Sequence, residues 1–313
     1  MGFDCVLPNW SVFLYKEKRL CFVNTLDKPT VTIIGTCRVH DTLRQVENKG
    51  LININNGGLQ TYVHSLPEIF FRLKVLKRQS KYSAKIMDLQ VDTRSGTETK
   101  PSDEFSFSDS EVIVIEISSL KSIFYETHPL QYNEVNRHLC SPHGEYGIEL
   151  RANINYAFNN NQSSIITPKS PYPDTLSESH RQIISNLRPK LMSEEDIYSY
   201  LNKICEYIKK PVLFVNHINE EGENGRKITS RNRLCKIIDR YCFVNGFALF
   251  EPAGLFQTYN KKDLLAKDGE DLAHYAKTAL ETVGLAQYNR IIKIIHKNFF
   301  EWLIVISHIA NRR

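Results

Sequence analysis

No C-x-x-C occurs anywhere in the sequence, and the seven cysteines, at positions 5, 21, 37, 140, 205, 235 and 242, are odd in number. Metal-type cysteine spacing is therefore missing, and the pattern reads as free thiols in a reducing, cytoplasmic compartment. Long hydrophobic runs are missing too. The longest near the C-terminus, Trp302 to Ile306, falls far short of the ~20 residues that a membrane-spanning helix needs. The opening residues MGFDCVLPNWSVF contain Asp4 and Pro8 and no basic start or apolar run, so no signal peptide is expected. Val6 stands where a myristoylation signal has Ser or Thr. Charge of one sign is scarce: 40 Lys+Arg against 35 Asp+Glu leave +5 over 313 residues, too weak a field to predict nucleic acid as a partner. G-x-G-x-x-G is absent from the first strand–helix turn, which argues against a Rossmann-like nucleotide binder.

What is present suits a folded domain. An apolar content of 42% with 11% aromatics is enough for a sizeable core and excludes wholesale disorder. Thr30–Gly35, Glu111–Ser118 and Pro211–Asn216 are continuous β-branched runs, and Leu51–Asn55 and Phe247–Phe250 are shorter ones. Strands of this kind are buried on both faces, as in a parallel sheet covered by helices. Helical stretches are expected at about 39–49, 65–79, 193–209, 229–242 and 271–300, with a cap at Ser193 and a break at Gly284. Strand alternating with helix predicts a three-layer α/β fold with a parallel sheet of about five strands. Residues 1–29 are expected as an N-terminal extension packing on the core, and 30–313 as a single domain with two insertions. The first, at about 80–110, reads as a hairpin. The second, at about 124–192 after the third strand, reads as a polar loop and a helix from about Glu178, forming a lid.

Ligands in parallel α/β sheets sit beyond the carboxyl ends of the strands, and four such ends are chemically loaded. The first strand runs into Gly35-Thr36-Cys37-Arg38, which puts Thr36 and Cys37 on the turn into a helix. Helix amides there stabilise a thiolate and can bind an oxyanion. The second runs into Asn55-Asn56-Gly57-Gly58 and the third into Glu116-Ile117-Ser118-Ser119. Near the C-terminus Asp271-x-x-His274 stands at an expected helix start. Glu116 lies deep in an apolar strand and needs a basic partner, for which Arg38 is expected; Arg38 could otherwise pair with Asp41 or hold a carboxylate or phosphate.

The order of these motifs resembles the SGNH (GDSL-like) hydrolase superfamily, in the branch whose first block reads Gly-x-Cys and which includes polysaccharide acetyltransferase-type relatives. The resemblance covers about 30–120 and 210–290. It implies a flavodoxin-like sheet with an esterase or acyltransferase site. By position, Cys37 takes the place of the nucleophilic serine, Gly57 or Gly58 that of the oxyanion glycine, and Ser118 that of the oxyanion asparagine. Asp271 and His274 take the places of orienting acid and general base. The missing serine and asparagine shift the expected chemistry towards acyl transfer through a thioester.

Each of these residues also has a plain structural explanation: Cys37 as a buried thiol, Asp271 as a helix cap, His64 as a packed core histidine. Asn216 and His217, at the end of the fourth strand, are candidate substrate contacts, as are Thr36, Arg38 and His64. His138, Cys140 and His143 are metal-ligand types, but no cysteine pair accompanies them and no metal is expected. Lys261, Lys262, Lys293, Lys297, Arg312 and Arg313 read as solvated helix faces, with attraction of an anionic ligand such as coenzyme A as the alternative. The sequence thus predicts an enzyme acting on an acyl ester, by resemblance an O-acetyl group of a glycan. No cofactor is required, although acetyl-CoA could serve as acyl donor. The competing expectation is a catalytically decayed module that binds carbohydrate or protein.

Overall fold

Five apolar runs pair as one parallel sheet: β1 (Thr30–Ile34), β2 (Asn53–Ile54), β3 (Val112–Glu116), β4 (Val212–Val215) and β5 (Ala248–Phe250). Their spatial order is β2-β1-β3-β4-β5, with Ile33 opposite Val114 and Ile113 opposite Val212. This is the flavodoxin-like order, whose switch point lies between β1 and β3. The computed structural model describes residues 28–59, 62–91, 99–165, 167–222, 225 and 227–297 in full, and only the backbone of 10–14, 20–24 and 298–310. Trp10–Leu14 pairs antiparallel with Leu20–Asn24; the expected packing of residues 1–29 on the core lies outside the described residues.

Every residue of β3 and β4 is buried, which is why these strands read as unbroken apolar runs rather than alternating ones. Successive side chains go to opposite faces. Ile113, Ile115 and Phe214 pack with α2 (Leu66–Leu76), α3 (Glu194–Ile208) and α4 (Thr229–Asn245); Val112, Val114 and Leu213 pack on the other side. There they meet Val39, Leu43 and Val46 of the helix at Cys37–Asn48, and Val283 and Ile291 of a long helix at Leu280–Ala310. The helix Cys37–Asn48, α1 in chain order, is αN, and the long helix is αC. Ser193 caps α3 through a reciprocal bond with Asp196, as its sequence predicts.

Three expectations need correction. Residues 80–110 form no hairpin among the described residues, which exclude 92–98. Ile86, just before the short helix Met87–Gln90, and Leu89 within it instead face an apolar cluster of the second insertion. That insertion holds the expected polar stretch and the helix from Glu178, but both belong to a larger packed unit. Lys121–Tyr125 is flanked antiparallel by His128–Leu130 and Leu187–Leu191, and the helices Gly144–Asn159 and Glu178–Ser185 cover it. Its cluster includes Ile123, Leu150, Phe158 and Ile184. The glycines, asparagines and charges of Gly144–Asn159 give a faint apolar face, so the sequence conceals this helix.

The third correction concerns the C-terminal stretch. Asp271–Tyr275 is a strand paired with Leu265–Ala266, and αC starts only at Leu280. Gly284 does not break αC. A Cβ at this position would lie 2.2 Å from the Thr42 carbonyl oxygen, so glycine is what lets the two helices touch. Gly284→Ala gains roughly 1 kcal/mol of helix propensity, but the obstruction is backbone and a whole helix must move. Overpacking of this kind costs about 1–3 kcal/mol. The variant is expected to melt several degrees lower in circular dichroism, whereas Gly254→Ala, where a Cβ meets nothing within 4 Å, should melt like the parent.

Candidate active site

At the switch point β1 ends at Ile34 and αN begins at Cys37. Gly35 is required between them because a Cβ there would lie 2.7 Å from the Cβ of Glu116 and 2.8 Å from Val39 Cγ1. The turn is fixed by Glu116, which is only 1% exposed at the end of β3. The Thr36 N–H donates to Glu116 Oε2 at 3.0 Å, the Thr36 hydroxyl donates to the same oxygen, and Arg38 Nε donates to Oε1 at 2.6 Å. A carboxylate buried this deeply is tolerated only with such partners. Arg38 therefore pairs with Glu116 and not with Asp41. Thr36, buried and bonded to Glu116, is not free to act as a nucleophile.

Cys37 stands at the first position of αN, half-buried. Burial pushes its thiol up, Arg38 opposes this, and Asp41 and Glu116 reinforce it. Cys37 lines a crevice of about 410 Å³ together with Asp41, His274, Tyr275 and Lys277. His274 Nδ1 lies 3.0 Å from Asp271 Oδ2 and 3.2 Å from Oδ1. Asp271 also accepts the Ala273 N–H at 2.9 Å. Burial raises the Asp271 carboxyl, but the bonds from Ala273 and His274 and the charges of His274 and Lys267 bring it below its ordinary value. Asp271 and His274 lie in a strand, so neither caps a helix. The structure thus brings Cys37, Arg38 and His274 to one crevice, with Asp271 behind the imidazole.

Other candidates are placed elsewhere or are already engaged. Gly57 and Gly58 line a separate cleft of about 450 Å³ with Arg44, Glu47 and Phe105. The Ser118 hydroxyl lies 3.1 Å from His64 Nδ1, and its N–H donates to the His64 carbonyl at 2.9 Å. The Asn133 amide reaches His64 Nε2 at 3.2 Å, so Nε2 accepts and Nδ1 carries the proton. Burial, with Arg38 next in weight, holds His64 at about 4. His217 donates from Nδ1 to the Ile218 carbonyl at 2.8 Å, and burial, then Arg38 and Arg231, holds it at about 2. Asn216 donates to Glu251 Oε2 at 2.7 Å, which ties β4 to the residue following β5. In the insertion His143 spends both ring nitrogens, on Thr175 and on the His138 carbonyl.

Sequence reasoning missed Asp41, Lys277 and Arg231. Asp41 had a local signal, since it follows Cys37 by four positions on one helix and so shares its face. Arg231 had none, because it reaches the Leu272 carbonyl, at 2.6 Å, from a different helix.

Fold and site together define a flavodoxin-like α/β protein whose first strand–helix turn brings a cysteine to a crevice shared with the histidine of an Asp–His pair. The TviD N-terminal domain family matches residues 29–290, and the chain belongs to that family. It is similar to the Vi polysaccharide biosynthesis protein TviD of Salmonella typhi, 24% identical over an alignment of 273 residues that covers 84% of this chain and 31% of that protein. The chain thus spans less than a third of the length of that curated relative. Among solved structures it is similar to the lipase/acylhydrolase from Enterococcus faecalis at 10% identity and a TM-score of 0.40, over 84% of this chain and 95% of that one. Among the described residues no helix is long and apolar enough to cross a membrane.

The buried imidazoles make stability depend on pH. His40, His64 and His217 are held at about 3, 4 and 2 by burial and by neighbouring arginines, against about 6.5 in an unfolded chain. Below about pH 6.5 the unfolded chain binds protons that the folded one refuses, so stability falls as the pH drops. Glu68 works in the opposite sense: burial raises it to about 7, and between about 7 and 4.5 the fold keeps a proton that the unfolded chain releases. Three imidazoles against one carboxyl leave a net loss. The melting temperature is expected to fall steadily from pH 7 to pH 5, with a shallower fall in His217→Gln.

Proposed function

We propose that this chain is an SGNH-like hydrolase or O-acyltransferase that uses Cys37, His274 and Asp271 on an acyl ester, with an O-acetyl group of a glycan as the substrate class. The single observation that carries this reading is the meeting of Cys37 and the Asp271-backed His274 in one crevice. Asp271 accepts the proton-bearing Nδ1 of His274, which leaves Nε2 as the basic nitrogen. His274 Nε2 takes the Cys37 proton and the thiolate attacks the acyl carbonyl. As the tetrahedral intermediate collapses, His274 returns the proton to the departing alcohol and a thioester forms. Water or a sugar hydroxyl, deprotonated by His274, then attacks the thioester and releases the thiol. The Cys37 amide, at the start of αN where N–H groups lack an intrahelical acceptor, is the oxyanion donor in this reading. Gly57 and Gly58 face another cleft, and Ser118 is held by His64.

Support for the acyl chemistry comes from the Gly35-Thr36-Cys37 block and the late Asp-x-x-His. Support for a glycan comes from the polysaccharide named in the relative's description. An acetyl donor such as acetyl-CoA fits transfer as well as an O-acetylated sugar fits hydrolysis. On p-nitrophenyl acetate, Cys37→Ser is expected to retain partial turnover and His274→Ala to lose at least about a hundredfold, both read as kcat/KM. Unchanged turnover in both variants would refute the triad.

One observation favours the second reading, a decayed module that binds carbohydrate or protein: burial raises the resting thiol instead of activating it. Iodoacetamide separates the two. Cys140, Cys235 and Cys242 are buried with thiols pushed to about 11, 12 and 12, so faster labelling of Cys37 follows from exposure alone. The diagnostic is its dependence on the base. In a catalytic site the labelling of Cys37 at pH 6 slows markedly in His274→Ala, whereas in a decayed site it does not change.

A further inference from the structure

Asp271–Tyr275 carries the Asp–His pair but is not part of the main sheet. Its ladder partner is Leu265–Ala266, two residues long, and the register shifts between them. A hairpin with so few bonds of its own is marginal. Leu265 and Tyr275 are buried in the core, and the backbone between the Asp and the His is held by two arginines from distant helices. Arg38 Nη1 donates to the Ala273 carbonyl at 2.9 Å, and Arg231 Nη1 donates to the Leu272 carbonyl at 2.6 Å. Both held carbonyls belong to the residues between Asp271 and His274.

We propose that Arg38 and Arg231 are positioning residues, a clamp that fixes the Asp271–His274 strand against the first turn of αN and so sets His274 relative to Cys37. This rests on the Cys37–His274–Asp271 reading and assigns neither arginine a contact with substrate. Arg38 adjoins the thiol residue in sequence, is locked by Nε onto the buried Glu116 carboxylate, and uses the other arm of its fork on the hairpin. One rigid guanidinium therefore ties three elements together: β3, the nucleophile turn and the base strand. Arg231 adds a second hold from the first turn of α4. The two cations repel each other, and burial, then the Arg38 charge, lowers Arg231 to about 10. Drawing them to adjacent carbonyls costs free energy that the hydrogen bonds must offset.

The two positions answer differently to lysine. Arg38 bonds a carboxylate and a carbonyl with separate nitrogens, and a single ammonium cannot reproduce that fork. Arg231 makes one bond to the hairpin, which lysine can replace. Arg231→Met, Arg231→Lys and Arg38→Lys are to be compared by amide hydrogen exchange over 265–276 and by p-nitrophenyl acetate turnover. Arg231→Met and Arg38→Lys are expected to speed hairpin exchange at least about tenfold. They are also expected to lower kcat about tenfold or more with KM nearly unchanged. Arg231→Lys should stay within about threefold of the parent in both readouts. Because Arg38 is buried with Glu116, its variant could fail to fold; Arg231, half-exposed, decides the matter alone. Parental exchange in Arg231→Met would overturn the clamp while leaving the triad intact. A hairpin that loosens while His274→Ala keeps full turnover would overturn the triad, and with it the purpose of the clamp.

Discussion

The carboxylate of Glu116 organises the centre of this molecule. An apolar strand delivers it, almost solvent-free, to the switch point of the sheet, where an unpaired charge would be prohibitive. Its demand for partners is met by the Thr36 amide and hydroxyl and by Arg38. Those three donors flank Cys37, so satisfying the acid is the same event as shaping the turn that carries the thiol. Gly35 belongs to this arrangement because only a residue without Cβ lets the turn lie against Glu116 and Val39.

Arg38 and Arg231 lie within electrostatic reach of each other, of His217 and, for Arg38, of His64. With burial they keep both imidazoles neutral, so these histidines act through fixed tautomers: His64 donates towards Ser118 and His217 donates to the Ile218 carbonyl. His274 differs from both. It is exposed on the rim with a carboxylate as partner. The architecture thus separates histidines packed within the strand ends from one at the surface that rests against a carboxylate.

Much of the sheet was legible because fully buried parallel strands have a plain signature: unbroken runs such as EVIVIEIS leave no other reading. The thiol on the first turn and the pairing of Arg38 with Glu116 were legible for the same reason, since a turn at a strand end and an acid inside an apolar run each have few physical solutions. The insertion was not legible. Its strands are short, and its helix from Gly144 to Asn159 is rich in residues that favour loops. Its core assembles only when Ile86 and Leu89, from far upstream, join it. The strand at Asp271–Tyr275 was misread because DLAHYAKTALETVG has good local helix propensity, which the hydrogen bonds to Leu272 and Ala273 from other helices override.

By itself the sequence determined the parallel sheet, the helices that cover it and the chemistry available at each strand end, because burial and periodicity act within a few residues of chain. Only the tertiary structure decided which of those chemical groups share a crevice. It joined Cys37 to His274, sent Gly57 and Gly58 to another cleft, and turned Ser118 towards His64. The reason is physical: these meetings depend on contacts between residues up to some 240 positions apart, such as Arg38 with Ala273. No local pattern encodes which carbonyl a distant guanidinium will find.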